Sequence, residues 1–87
     1  MKIKSGFVLR MVGGENIVVP VGEMSKKFHG MINLNDSGAF LWRLFANGTT
    51  IDEAVQAVKE NYSIEEDIAR GDVEKFVATL QKNGFID

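Results

Sequence analysis

Four serines, Ser5, Ser25, Ser37 and Ser63, carry hydroxyls that could attack a substrate, and His29 is the single imidazole able to activate one of them. A serine becomes nucleophilic only with a base beside it, and no Gly-x-Ser-x-Gly elbow marks such a place. His29, next to Gly30 and ahead of a short apolar run, reads as a solvated or turn histidine. The absence of cysteine removes thiolate catalysis, disulfides, iron–sulfur clusters and Cys-ligated zinc together. One histidine is also too little for a transition-metal site within one chain, so neither metal nor cofactor is expected. Glu65-Glu66-Asp67 has the look of paired carboxylates, but it opens a helical stretch, where the macrodipole favours negative charge by about 0.3–1 kcal/mol per group. Asp52 and Glu53 hold the same place one helix earlier. No phosphate-binding glycine loop is present. The expectation is a chain that is not an enzyme.

The elements that would position these residues divide by their periodicity. Phe7–Val12 and Glu15–Pro20 are apolar and β-branched runs joined by Gly13-Gly14, which supplies the positive φ values of a two-residue hairpin turn. Pro20 cannot donate to a ladder, so it marks the end of the second strand or a sheet edge. Val21 to Gly30 reads as a polar connection, and a short third strand follows at about Met31 to Leu34, with Ile32 and Leu34 on one face and Met31 and Asn33 on the other. From there the pattern is helical. Asn35 or Asp36 can cap a first helix bearing Phe40, Leu41, Trp42, Leu44 and Phe45, which ends at Asn47-Gly48. These apolar residues wrap more than half the helix, so it is expected to be buried all round.

Thr50 with Glu53 makes a capping box for a second helix with the stripe Ile51, Ala54, Val55 and Val58. Ser63 with Glu66 repeats the pattern for a third helix running to about Asn83, with Ile68, Ala69, Val73, Phe76, Val77 and Leu80 on one side. Gly84 should end it in the left-handed region, and Phe85 and Ile86 should fold back on the core. The fold expected is α+β: one domain, 1–87, of three N-terminal β-strands followed by three α-helices. A chain of 87 residues has room for one core.

Charge limits the partners. Residues 1–49 hold six Lys/Arg against three Asp/Glu, whereas residues 50–87 hold four against nine. Three helices beside a small sheet admit a winged-helix DNA-binding regulator as an alternative. The third helix is acidic, however, and would repel the phosphates that supply most nucleic-acid affinity. No apolar run approaches the ~20 residues of a bilayer span, and Arg10 interrupts the N-terminal run before it reaches signal-peptide length, so a cytoplasmic protein is expected. The third strand offers more. If it lies at a sheet margin, it presents backbone donors and acceptors to an incoming peptide, or is an edge protected by shortness and twist; the residues leave both readings open.

From Gly30-Met31-Ile32-Asn33-Leu34-Asn35-Asp36-Ser37-Gly38-Ala39-Phe40-Leu41-Trp42, through Gly48-Thr49-Thr50-Ile51-Asp52-Glu53-Ala54 and Tyr62, to the closing Phe76-Val77-Ala78-Thr79-Leu80-Gln81-Lys82-Asn83-Gly84-Phe85-Ile86, the sequence resembles the PqqD family of RiPP recognition elements. The resemblance implies a winged-helix-like fold without catalytic residues. It implies partners too: the leader of a ribosomally made precursor peptide, bound as an added antiparallel strand, and a modifying enzyme such as a radical SAM protein. Carried onto this chain, the peptide-binding residues are Met31, Ile32, Asn33 and Leu34 on the strand, and Val73, Phe76, Val77 and Leu80 on the third helix, where some must serve the core instead. An edge that accepts a peptide can also pair with a second copy, giving a homodimer.

Overall fold

The structure, a computed structural model, describes residues 1–28 and 31–86. In chain order the elements are β1 (Phe7–Val12), β2 (Glu15–Pro20), α1 (Met24–Lys27), β3 (Ile32–Leu34), α2 (Asp36–Asn47), α3 (Ile51–Tyr62) and α4 (Glu66–Lys82). This is the expected α+β, winged-helix-like order, with α1 added. That single turn lies within the stretch read as a polar connection. Ser25 Oγ donates to Gly22 O at 2.6 Å and Phe28 N to Met24 O at 2.9 Å, so it is held by local bonds that hydrophobic periodicity does not register. The turn reading of His29 falls outside the described residues.

The sheet is antiparallel in the order β1-β2-β3. Gly13 and Gly14 take φ of 57° and 81°, the two consecutive positive values that join β1 to β2 in register Val12↔Glu15. Partners directly opposite share a face, so Phe7, Leu9, Val18, Ile32 and Leu34 point inward, where they belong to the core or pack against it.

Asn35 caps α2: its Oδ1 accepts from Gly38 N at 2.8 Å. Asp36 is left to accept from Asn16 Nδ2 at 3.1 Å, which ties β2 to the helix start and satisfies a side chain only 5% exposed. A Cβ on Gly38 would stand 3.1 Å from the capping oxygen and 3.4 Å from Leu34 Cβ, so glycine here lets α2 approach the end of β3. The helix is not buried all round. Arg43, Ala46 and Asn47 are exposed and Phe40 and Leu44 are half-buried, because sheet and helices cover α2 from one side only. Phe40 is shielded instead by Tyr62, ring to ring at 5.6 Å.

Thr50 and Glu53 form the expected capping box on α3, each bond at 3.1 Å. The second box does not form. Ser63 ends α3 in the left-handed region (φ 53°), and α4 starts at Glu66 after Glu65 without a side-chain cap. Glu66 instead meets Lys59 Nζ at 3.0 Å and Arg70 at 3.7 Å, linking α3 to α4. On α4 the buried stripe is Ala69, Val73, Val77 and Leu80, with Phe76 half-buried; Ile68, expected among them, is 55% exposed. Gly84 ends this segment at φ 77°, and Phe85 folds back into edge contacts with Phe7 (4.7 Å) and Trp42 (5.3 Å), followed inward by Ile86.

Candidate functional site

Among the described residues β3 has a neighbouring strand on one side only, so its other side is an edge. Which backbone groups point there follows from the phase of the ladder. Val21 N donates to Gly6 O at 2.8 Å, and antiparallel pairs alternate between bonded and unbonded, so Val8↔Val19, Arg10↔Ile17 and Val12↔Glu15 are the bonded pairs of β1 and β2. Ile17 and Val19 thus direct their backbone groups to β1. Asn16 and Val18 direct theirs to β3, where they face Leu34 and Ile32. The residue between, Asn33, turns its N–H and C=O toward the free edge. Ile32 and Leu34 hold the sheet while Asn33 is available to a new strand.

Two cavities lie along a channel between the segment 31–41, which begins at this edge, and the segment 72–85, which holds the second half of α4. One, about 200 Å³, is walled by Ile32 of β3 and Met31 just before it, Phe28, Phe7, Asn83 and Phe85 among others. The second, about 280 Å³, lies between Asn35, Ser37, Gly38 and Leu41 on one side and Asp72, Lys75, Phe76 and Thr79 on the other. The chain from Met31 to Leu41 and the stretch from Asp72 to Asn83, which is the later part of α4 with its C-cap, therefore run in opposite directions along one channel. The first cavity is mostly aromatic and aliphatic, suited to an apolar anchor side chain; the second adds a carboxylate and an ammonium on its α4 wall.

The structure sorts the residues singled out in the sequence. Met31 and Asn33 are exposed at the edge, and Ile32 and Leu34 are half-buried with their side chains on the inner face. Of the four on α4, Phe76 alone lines the channel. Val73, Val77 and Leu80 are exposed by only 0, 5 and 1% and belong to the core, where they hold α4 against α3 and α2. The helix wall also includes Asp72, Lys75, Thr79 and Asn83, which the sequence reading missed. Their spacing with Phe76, at 72, 75, 76, 79 and 83, is itself helical, one step round from the core stripe. That mixed border was the available signal. Lys59, then Arg70, holds the Glu66 carboxyl below its ordinary value, at the α3–α4 junction rather than in the channel. Among the described residues no three metal-ligating side chains come together.

The family described as coenzyme PQQ synthesis protein D (PqqD) matches residues 7–86. The chain belongs to the PqqD family. Its fold is also that of two solved structures. TbiB1 in complex with the TbiA(beta) leader peptide is 21% identical with a TM-score of 0.79, over 100% of this chain and 95% of that one. A lasso peptide synthetase B1 complexed with the leader peptide is 18% identical with a TM-score of 0.74, over 95% and 92%. No curated protein matches at comparable significance. As a PqqD-family chain, it keeps the expected winged-helix-like outline with β3 at the margin. No helix among its described residues is long and apolar enough to cross a membrane.

Proposed function

We propose that this chain is a non-catalytic adaptor that captures the leader of a ribosomally made precursor peptide and presents it to a modifying enzyme, of which a radical SAM protein is one kind. The leader adds as a strand to the free edge of β3, with Asn33 supplying the outward backbone donor and acceptor. Met31, Ile32 and Leu34 form the strand side and Phe76, Lys75, Thr79 and Asn83 the helix side. The single observation that carries the reading is the open edge facing a channel with two cavities, in a chain whose structural neighbours TbiB1 and lasso peptide synthetase B1 were solved with leader peptides. Strand addition obtains affinity from main-chain bonds, while the cavities select anchor side chains. Capture then raises the effective concentration of the substrate at the enzyme.

The DNA-binding alternative finds no support: within Glu66–Lys82 four carboxylates outnumber three cations. Calorimetric titration with the leader segment of a candidate ribosomal precursor peptide tests the proposal. Micromolar or tighter binding by the folded domain is expected. A leader that gives no binding to the folded monomer overturns it.

A further inference from the structure

The sheet has a second edge, on the outer side of β1. By the alternation that turns Asn33 outward, Val8, Arg10 and Val12 bond to β2, so Leu9 and Met11 direct their N–H and C=O groups away from it. Among the described residues no strand pairs with β1 on that side. A cavity of about 430 Å³ runs there. Residues 7–11, five in succession with alternate facings, line it, so it follows the edge of the strand rather than one face of the sheet. Trp42, Arg43 and Asn47 of α2 are among those on its other wall.

Two guanidiniums flank this edge. Arg10 and Arg43 both line the cavity and both are exposed, and neither has an ion-pair partner among the described residues. No carboxylate among the described residues lines it; Glu15 and Asp36 border a separate cavity with Asn33 and Leu34. Arg10 belongs to the outer face of the sheet, opposite Ile17, whereas Arg43 stands on the helix side.

We propose that the β1 edge takes an acidic, extended segment of a second protein as an added strand, with main-chain bonds to Leu9 and Met11 and carboxylates on Arg10 and Arg43. Successive side chains of an added strand face opposite ways, so acidic residues of either facing meet a guanidinium. A second copy of this chain does not fit. Pairing β1 with itself would bring two Arg10 and two Arg43 together with no carboxylate in the groove. The copy's own carboxylates lie mostly on α3 and α4, whose backbone groups are bonded within the helices and cannot extend a sheet. The cations that bar self-pairing are those that select an acidic strand. β1 and β3 are the two outer strands, so one edge can hold a partner while the other holds a leader, and the β1 site does not depend on leader capture.

The test uses the full chain and a fluorescein-labelled peptide of alternating Glu and Val, about ten residues long, with the Lys-Val peptide of the same length as control. Fluorescence anisotropy at low salt should show the Glu-Val peptide binding about tenfold or more tightly than the control. Met11→Pro removes an outward N–H and no ladder bond, and Arg43→Glu changes an exposed helix position; each should weaken that binding about tenfold or more. Met11→Ala, which keeps the N–H, and Asn33→Pro, at the other edge, should leave it within about threefold of wild type. Circular dichroism shows which variants are folded, and Arg43→Glu with Met11→Ala keeps the test independent of the proline. Equal affinity for the two peptides overturns the proposal, as does wild-type affinity in a folded Met11→Pro or in Arg43→Glu. A loss in Asn33→Pro that Met11→Pro does not share puts the peptide on β3 and overturns it too. None of these outcomes touches leader capture, which the leader titration decides.

Discussion

Asn33→Pro separates peptide capture from folding. By the ladder phase, Asn33 directs its N–H to the free edge, so proline there removes no bond between β2 and β3, while the same change at Ile32 or Leu34 would delete one. For an added strand the loss is twofold. One amide hydrogen bond goes, worth a net of about 0.5–1.5 kcal/mol, and a leader carbonyl in the channel is left without a donor, costing roughly 1–3 kcal/mol more. Together these predict about 1.5–4.5 kcal/mol, or a leader Kd roughly 10- to 2,000-fold weaker. Asn33→Ala keeps the N–H and alters only an exposed side chain, so its Kd should stay within about threefold of wild type. Titration calorimetry gives the affinities, and thermal unfolding followed by circular dichroism shows whether each variant is folded. A folded Asn33→Pro with wild-type affinity would refute strand addition at this edge. Equal losses for the proline and alanine variants would refute the assignment of the outward donor.

Thr79→Arg places a long cation in the channel from an exposed position, and should weaken leader binding at least tenfold with stability changed by no more than about 0.5 kcal/mol, as titration and thermal unfolding would read. Phe85→Ala removes a ring that is 5% exposed and packs on Phe7 and Trp42; a loss of about 3–5 kcal/mol is expected, seen as a Tm lower by more than about 12 °C. Ile68→Lys should be neutral within about 0.5 kcal/mol in chemical denaturation while Leu80→Ala costs about 2–5 kcal/mol, and similar costs for both would return Ile68 to the core. The Glu66 carboxyl is held low by Lys59 and Arg70, so its contribution is present above the unfolded glutamate pKa of about 4.3 and is lost as pH falls through the lower folded value. The Tm advantage of wild type over Glu66→Gln should therefore be small, shrink with salt, and vanish in acid; an advantage that grows on acidification would contradict the pairing.

Much of this protein was legible from local signals. The hairpin was visible because two consecutive glycines between β-branched runs permit little else, and the α3 start because Thr50 and Glu53 satisfy each other within one turn. Gly84 and the return of Phe85 followed the same way. Local signals failed where two elements competed for one residue. Ser63 and Glu66 fit a capping box, but Ser63 is the stop of α3 and Glu66 is drawn to Lys59 on the other helix. The apolar run of α2 reads as all-round burial, yet a helix covered from one side keeps Phe40 and Leu44 only half-buried.

The amino-acid sequence by itself determined the order of every element but α1, most helix ends and the short strand that forms the edge, because periodicity, caps and turn glycines act within a few residues. Which apolar residues of α4 face the core, and which border the channel, was decided only by packing. Val73, Val77 and Leu80 differ from Phe76 in sequence by little more than phase around the helix, and that phase acquires meaning only once α3 and α2 lie against it. The same holds for Asn33. Its outward N–H follows from the bond between Val21 and Gly6, a contact across the hairpin that sets the alternation of the entire sheet.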